Sequence, residues 1–277
     1  MGKVIFVTAF KGGVGKTTVS AGIAAALASL GKRVCVVDAD FGMRCMDLVL
    51  GVEDLVVYDC MDVLSGRCRP ADAIVSVAGR ENLHFMPAPI RYDGSPLSRK
   101  SGEELFAYLR REYDFCIVDS SAELSEYYRQ FAMLADEAVV VSLHQSTAIR
   151  AAEKTAANLA LLGHNRVHLT VNGYRAAHAK DGSLPTVLEM IHRSSIPLLG
   201  VIPMSEELPP RQEKGIVPFG GKDRRKLLSY EAAFLNIALR LCGGYTPLLK
   251  DVEKPGRKDK RLASVQLSLP RNLRRSH

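Results

Sequence analysis

Two lysines five positions apart bracket a glycine-rich run, Lys11-Gly12-Gly13-Val14-Gly15-Lys16-Thr17-Thr18, placed directly after the apolar segment Val4-Ile5-Phe6-Val7. These residue types in this order suit a polyphosphate. Glycines without a β-carbon let the backbone curl and aim successive N–H groups inward. A helix starting at the end of the run adds the positive end of its dipole. Lys16 would then reach the β- and γ-phosphates, and the Thr17 hydroxyl would ligate Mg²⁺. The pattern G-x-x-x-x-G-K-[ST] is met except at its first position, where Phe10 stands in place of glycine. Lys11 has two readings. It is either a solvated lysine on the rim of the loop, or a cation that crosses a dimer interface to the nucleotide of a second copy, as an arginine finger does in trans.

Carboxylates at two further places could complete such a site. The apolar run Arg33–Val37 is followed by Asp38-Ala39-Asp40-Phe41-Gly42. Two acids at alternate positions beyond a buried strand suit a Mg²⁺–phosphate site better than a helix cap. The run Phe115-Cys116-Ile117-Val118 ends in Asp119, which reads as a Walker B carboxylate holding Mg²⁺ through water. A third segment, Thr170-Val171-Asn172-Gly173, offers an Asn-Gly turn after a buried strand.

The elements that must carry these residues follow from periodicity. Apolar, β-rich runs alternate with longer amphipathic stretches, the signature of βαβ units and a mostly parallel sheet. Strands are expected over Lys3–Ala9, Arg33–Val37, Leu83–Met86, Phe115–Val118, Glu137–Ser142, Val167–Asn172 and Leu199–Ile202. Helices are expected from the loop to Leu30, stopped by Gly31, and over Asp59–Leu64, Ala71–Ile74, Gly102–Glu112, Ala148–Leu162 and Ala232–Cys242. In such sheets ligands sit at the carboxyl ends of the strands, where the loop and the three aspartates lie. The chain has 277 residues, 47% of them hydrophobic and 24% charged, which suits one α/β domain with a sizeable core.

Together these motifs resemble the MinD/ParA family of ATPases, whose deviant Walker A motif reads K-G-G-x-G-K-[ST]-T. The resemblance spans roughly residues 3–240. It implies a single-domain P-loop NTPase with a mostly parallel twisted sheet and helices on both faces, covering residues 1–245. It implies ATP and Mg²⁺ as cofactors, held by Gly12, Gly13, Val14, Gly15, Lys16, Thr17 and Thr18, with Thr17, Asp38 and Asp119 around the metal. Asp40 would orient the attacking water, and Lys11 and Lys16 would act on the phosphates. Asn172 would recognise the adenine edge, and Leu199–Pro203 matches the family's second adenine-side segment, ending at Pro203. The segment Asp38–Leu50 resembles switch I of the MinD branch. That branch implies an ATP-bound homodimer, slow hydrolysis, MinC- and MinE-like partners and division-site placement.

Two departures stand out. Cys45 occupies the place of an Asn that follows the switch arginine in the family. Asp119-Ser120-Ser121-Ala122-Glu123 lacks the Pro and Gly of the usual D-S-P-A-G, so switching is expected to be slower or differently triggered. The altered segment also motivates a rival from another class, a nucleotide-binding scaffold with little turnover.

Net charge is +7, and nine basic against three acidic residues from Lys250 to His277 account for +6 of it. The body is thus near neutral, which argues against a ParA-type protein that holds DNA on its folded surface. A flagellar-number-regulating branch stays open. In residues 246–277, Leu262, Val265, Leu269 and Leu273 recur at helical spacing among Arg and Lys, while Pro270 interrupts them. Both a helix lying on anionic lipid and a solvated basic tail fit this pattern. There is no cationic leader with a small-residue cleavage site, so the expected location is the cytoplasm, peripheral to the membrane if the tail binds it. Six scattered cysteines form no C-x-x-C pair; Cys35 and Cys116 read as small buried hydrophobes.

Overall fold

A computed structural model describes residues 1–92, 97–219 and 227–249. Eight strands form one sheet: β1 (Lys3–Thr8), β2 (Val34–Ala39), β3 (Val75–Ser76), β4 (Leu83–Met86), β5 (Phe115–Ser120), β6 (Glu137–Leu143), β7 (Val167–Tyr174) and β8 (Leu198–Pro203). Their spatial order is β3-β4-β2-β5-β1-β6-β7-β8. Every pairing is parallel except the antiparallel β3–β4 pair at one edge. The helices are α1 (Lys16–Ser29), α2 (Met46–Leu50), α3 (Cys60–Leu64), α4 (Pro70–Ala73), α5 (Arg99–Glu112), α6 (Glu126–Leu134), α7 (Ser146–Leu161), α8 (Ala176–Asp181), α9 (Val187–Ser194), α10 (Leu208–Gln212) and α11 (Ser229–Leu241).

The alternation of β1 shows how the layers are built. Ile5 and Val7 point into one apolar layer with α1 and α11; Val4 and Phe6 point into the other with α5, α6 and α7. Helices therefore cover both faces, which parallel sheets require because both faces of each strand are apolar. α1 is buried on nearly all sides. Gly22 makes this possible: a β-carbon there would stand 2.3 Å from the Phe234 ring of α11. The helix stops as expected, with Gly31 in the left-handed region at φ 81°.

The seven expected strands are present. The two-residue β3 and the helices α2, α6, α8, α9 and α10 were not expected, and α11 begins at Ser229 rather than Ala232. α6 opens with Glu-Tyr-Tyr-Arg-Gln, a polar first turn that hides its apolar stripe. Its start is set instead by the Ser125 side chain, which accepts from Tyr128 N at 3.2 Å. Cys35 and Cys116 are buried and reduced, side by side on paired strands. The tail residues Leu262, Val265, Leu269, Pro270 and Leu273 lie outside the described residues.

The amino end of the sheet carries an ionic pin. Glu137, 7% exposed, meets Lys3 Nζ at 3.1 Å, Arg166 at 3.4 Å and His168 Nε2 at 3.6 Å. Burial pushes its carboxyl up, but bonds from His168 and Lys3 outweigh burial and hold it at about 2. The folded value lies below the unfolded one, so the stabilisation is present above pH ~4.5 and is lost as pH falls towards 2. Urea unfolding should show wild type more stable than Glu137→Gln by about 2 kcal/mol at pH 6. More than half of that difference should be gone by pH 3. A difference that does not change with pH would refute the charged pin.

Candidate functional site

At the carboxyl end of β1 the chain leaves the sheet through Ala9 and turns over Phe10–Gly15 into α1. Gly13 and Gly15 have φ of 72° and 86°, values that favour glycine. Gly12 and Gly13 are exposed and Val14 is buried, so the loop is anchored at its centre and open at its front. Asn172, at the end of β7, donates from Nδ2 to the Val14 carbonyl at 2.9 Å. A β-carbon on Gly15 would stand 2.4 Å from that same Nδ2. The amide expected to face adenine thus also contacts the loop backbone. Pro203 ends β8 opposite Tyr174 of β7, one strand further out than Asn172's own.

The front of the loop is pinned as well. Phe10 N–H donates to Thr155 Oγ1 of α7 at 3.2 Å, and the Phe10 ring leans on Tyr128. The aromatic ring at the missing first glycine therefore packs into the protein. Lys11 Nζ donates to Thr147 Oγ1 at 3.1 Å in an exposed contact, so within one chain it rests on the rim. Thr18 Oγ1 donates to Gln212 Oε1 at 3.2 Å, tying α1 to α10.

Beneath the loop the carboxylates gather. Asp38 and Asp119 are partners in register on β2 and β5, each 1% exposed. Asp38 accepts from Asp40 N at 2.9 Å and Met46 N at 3.4 Å. Asp119 accepts from Ser20 Oγ at 2.7 Å and is also hydrogen-bonded to the Thr17 side chain. Burial, and then the neighbouring Asp119, pushes Asp38 well above the usual carboxylate range. Burial likewise pushes Asp119 up to about 6, against the bonds from Ser20 and Thr17 and the charge of Lys16. Burial raises Asp40 too, with Lys16 opposing and Glu123 adding to the rise. The structure therefore brings Lys16, Thr17, Asp38, Asp40 and Asp119 into one electrostatic cluster.

This donor set fits Mg²⁺ with a nucleotide. The buried acids repel one another, a deficit that a dication relieves, and Thr17 offers its hydroxyl beside Asp119. Among the described residues no group of three His, Cys, Asp or Glu side chains is arranged to hold a metal alone.

Switch I hangs from Asp40, whose carbonyl accepts from Gly42, Met43 and Arg44 N–H groups. Arg44 takes φ 36° and pairs with Asp47 at 2.7 Å, both side chains nearly covered. Ser20, Gln212, Thr147 and Thr155 were missed by sequence reasoning. Ser20 alone carried a signal: it lies four residues after Lys16, on the same face of α1.

A family model described as "AAA domain" matches residues 2–168. The chain is 34% identical over 254 residues to the septum site-determining protein MinD of Bacillus subtilis (strain 168), covering 90% of this chain and 92% of that protein. It is 35% identical over 243 residues to the putative septum site-determining protein MinD of Emiliania huxleyi, covering 88% of each. Among solved structures, the MinC:MinD cell division protein complex of Aquifex aeolicus superposes with a TM-score of 0.81 at 29% identity, covering 90% of this chain and 99% of that one. The septum site-determining protein MinD of Pyrococcus horikoshii OT3, complexed with Mg-ADP, gives 0.74 at 26%, covering 87% and 96%.

Proposed function

The chain belongs to the MinD family of P-loop ATPases, and from that membership we propose that it binds Mg·ATP, dimerises on it, and hydrolyses it slowly to place the division septum. The observation that carries this reading is the cluster of Lys16, Asp38, Asp40 and Asp119 under a loop whose Gly13 and Gly15 hold positive φ. In it, the N–H groups of Gly12 through Thr18 would cradle the phosphates while Lys16 would neutralise them. Thr17, with Asp38 and Asp119 behind it, would hold Mg²⁺, and the ion would supply charge neutralisation at the phosphates. Asp40 orients the water. Asn172, keeping its bond to Val14, would offer its carbonyl and remaining amide hydrogen to the adenine edge, with the Leu199–Pro203 segment beside it.

Lys11 is assigned to the second subunit's nucleotide. Its ammonium makes an exposed contact to Thr147, which a closer anion would readily replace. Light scattering tests the assignment. The wild type should double its mass from 30.3 kDa in Mg·ATP and not in Mg·ADP. Lys11→Ala should bind Mg·ATP within about threefold of wild type, stay monomeric, and lose at least about tenfold in turnover. A variant that dimerises and hydrolyses normally would refute the trans role.

A MinC-like partner fits the similarity to the Aquifex MinC:MinD complex. A MinE-like partner and stimulation of turnover belong to the same reading. Among the described residues no helix is long and apolar enough to cross a membrane. Peripheral attachment is assigned to residues 246–277 on sequence alone. Cosedimentation of the full chain with anionic vesicles in Mg·ATP, against neutral vesicles, tests it; equal retention on both would refute it.

A further inference from the structure

The segment from Ser120 to Ser125, which joins the Walker B strand to α6, contains neither glycine nor proline. Two serines fasten it: Ser120 Oγ donates to the Ser121 carbonyl at 3.0 Å, and Ser121 Oγ donates to the Glu123 carbonyl at 3.1 Å. A linker stitched in this way delivers α6 to a set position. The first turn of α6 carries consecutive tyrosines that grip different loops.

Tyr128, 1% exposed, shares a hydrogen bond of 2.9 Å with Thr8 Oγ1, the last residue of β1. Its ring meets Phe6 edge-on at 5.0 Å and Phe10 at 6.0 Å. It therefore braces the strand and the loop on both sides of the turn. Tyr127 stacks on Phe41 at 4.3 Å with an interplanar angle of 18°. Tyr92 and Phe131 close around the same Phe41 ring at 5.4 and 6.0 Å. Phe41 directly follows Asp40, so its ring fixes the start of switch I. Successive helix positions diverge by about 100°, which lets adjacent tyrosines reach different loops from one rigid turn.

We infer that Tyr127 and Tyr128 form a single positioning element that sets Asp40, through Phe41, against the phosphate loop, through Thr8 and Phe10. Both tyrosines act through the residues they hold. The inference rests on the reading above in one respect, that Asp40 serves the attacking water. Misplacing a reacting group by about 1 Å costs on the order of a hundredfold, so a softened support should appear in turnover before it appears in affinity.

The test compares full-length wild type with Tyr127→Leu, Tyr127→Phe, Phe41→Leu and Phe10→Leu. Tyr127 is only half-buried, so its variants should fold, and the melting temperature checks this. Tyr127→Leu and Phe41→Leu should each lower kcat about tenfold with the Kd for Mg·ATP within about twofold. Tyr127→Phe, which keeps the stacked ring, should restore kcat. Phe10→Leu, acting on the loop, should weaken Mg·ATP binding several-fold. Hydrogen exchange gives a readout independent of turnover: the Gly42–Arg44 amides, which bond to the Asp40 carbonyl, should exchange about tenfold faster in Tyr127→Leu. Amides of β7 should not change. Unchanged kcat and unchanged switch I exchange in Tyr127→Leu would overturn the inference. So would equal losses of kcat and affinity that Phe does not restore. A wild type that binds Mg·ATP without releasing phosphate would instead overturn the role of Asp40, leaving the exchange result to decide the inference.

Discussion

Replacing Gly15 by alanine should weaken Mg·ATP binding about a hundredfold while lowering the melting temperature only slightly. Two effects combine. At φ 86° a β-carbon meets the neighbouring carbonyl, a strain of about 1–2 kcal/mol. The same β-carbon would stand 2.4 Å from Asn172 Nδ2, displacing the amide that donates to Val14. That hydrogen bond adds about 1 kcal/mol to the total. A loop facing this penalty relaxes into shapes whose N–H groups no longer converge, so the binding-competent fraction falls. Roughly 3 kcal/mol corresponds to about a hundredfold in affinity. Fluorescence titration with a labelled nucleotide checks the affinity, and calorimetric unfolding checks that the fold survives. Affinity within threefold of wild type would mean that the loop does not bind phosphate through this conformation.

Asp40→Asn should leave Mg·ATP bound and slow its hydrolysis about a hundredfold or more, the scale of a lost acid–base or water-orienting group. The carboxylate is half-buried beside Lys16, and its ordinary value is raised first by burial. Its backbone is held by three N–H bonds from switch I. The amide keeps the shape and removes the charge, so the loop should bind phosphate as well as before or better. Single-turnover phosphate release, with bound nucleotide quantified in parallel, separates the two effects. The ATP-bound dimer should persist longer in the variant. Release within threefold of wild type would remove Asp40 from the mechanism.

The parts of this site that were legible in the sequence are those where chemistry restricts residue type. Only glycine takes the turns at Gly13 and Gly15 without strain, only Lys followed by a Thr or Ser hydroxyl suits the expected phosphate and metal contacts, and an apolar run ending in Asp119 leaves few alternatives. The parallel sheet was legible for a related reason: strands buried on both faces read as short continuous apolar runs, as in Val4–Val7 and Val34–Val37. What remained hidden depends on contacts between distant positions. Nothing near Asn172 in the chain says that its amide meets Val14, 158 residues earlier. The two-residue β3 carries no period, and the polar opening of α6 masks its buried face. The tyrosines of that helix showed no pattern in one dimension, because their meaning lies in the two loops they touch. The missing first glycine at Phe10 had a structural answer of this kind: its ring packs on Tyr128, away from the exposed Gly12–Gly13 face.

The most direct measurement is equilibrium binding of radiolabelled ATP to the full chain in the presence of Mg²⁺, with Gly15→Ala alongside. One nucleotide per chain, bound saturably, weakened on removal of Mg²⁺ by EDTA and lost in the variant at the same concentrations, is the expected result. No saturable binding by the wild type, or equal binding by Gly15→Ala, would contradict a phosphate cradle at residues 11–18.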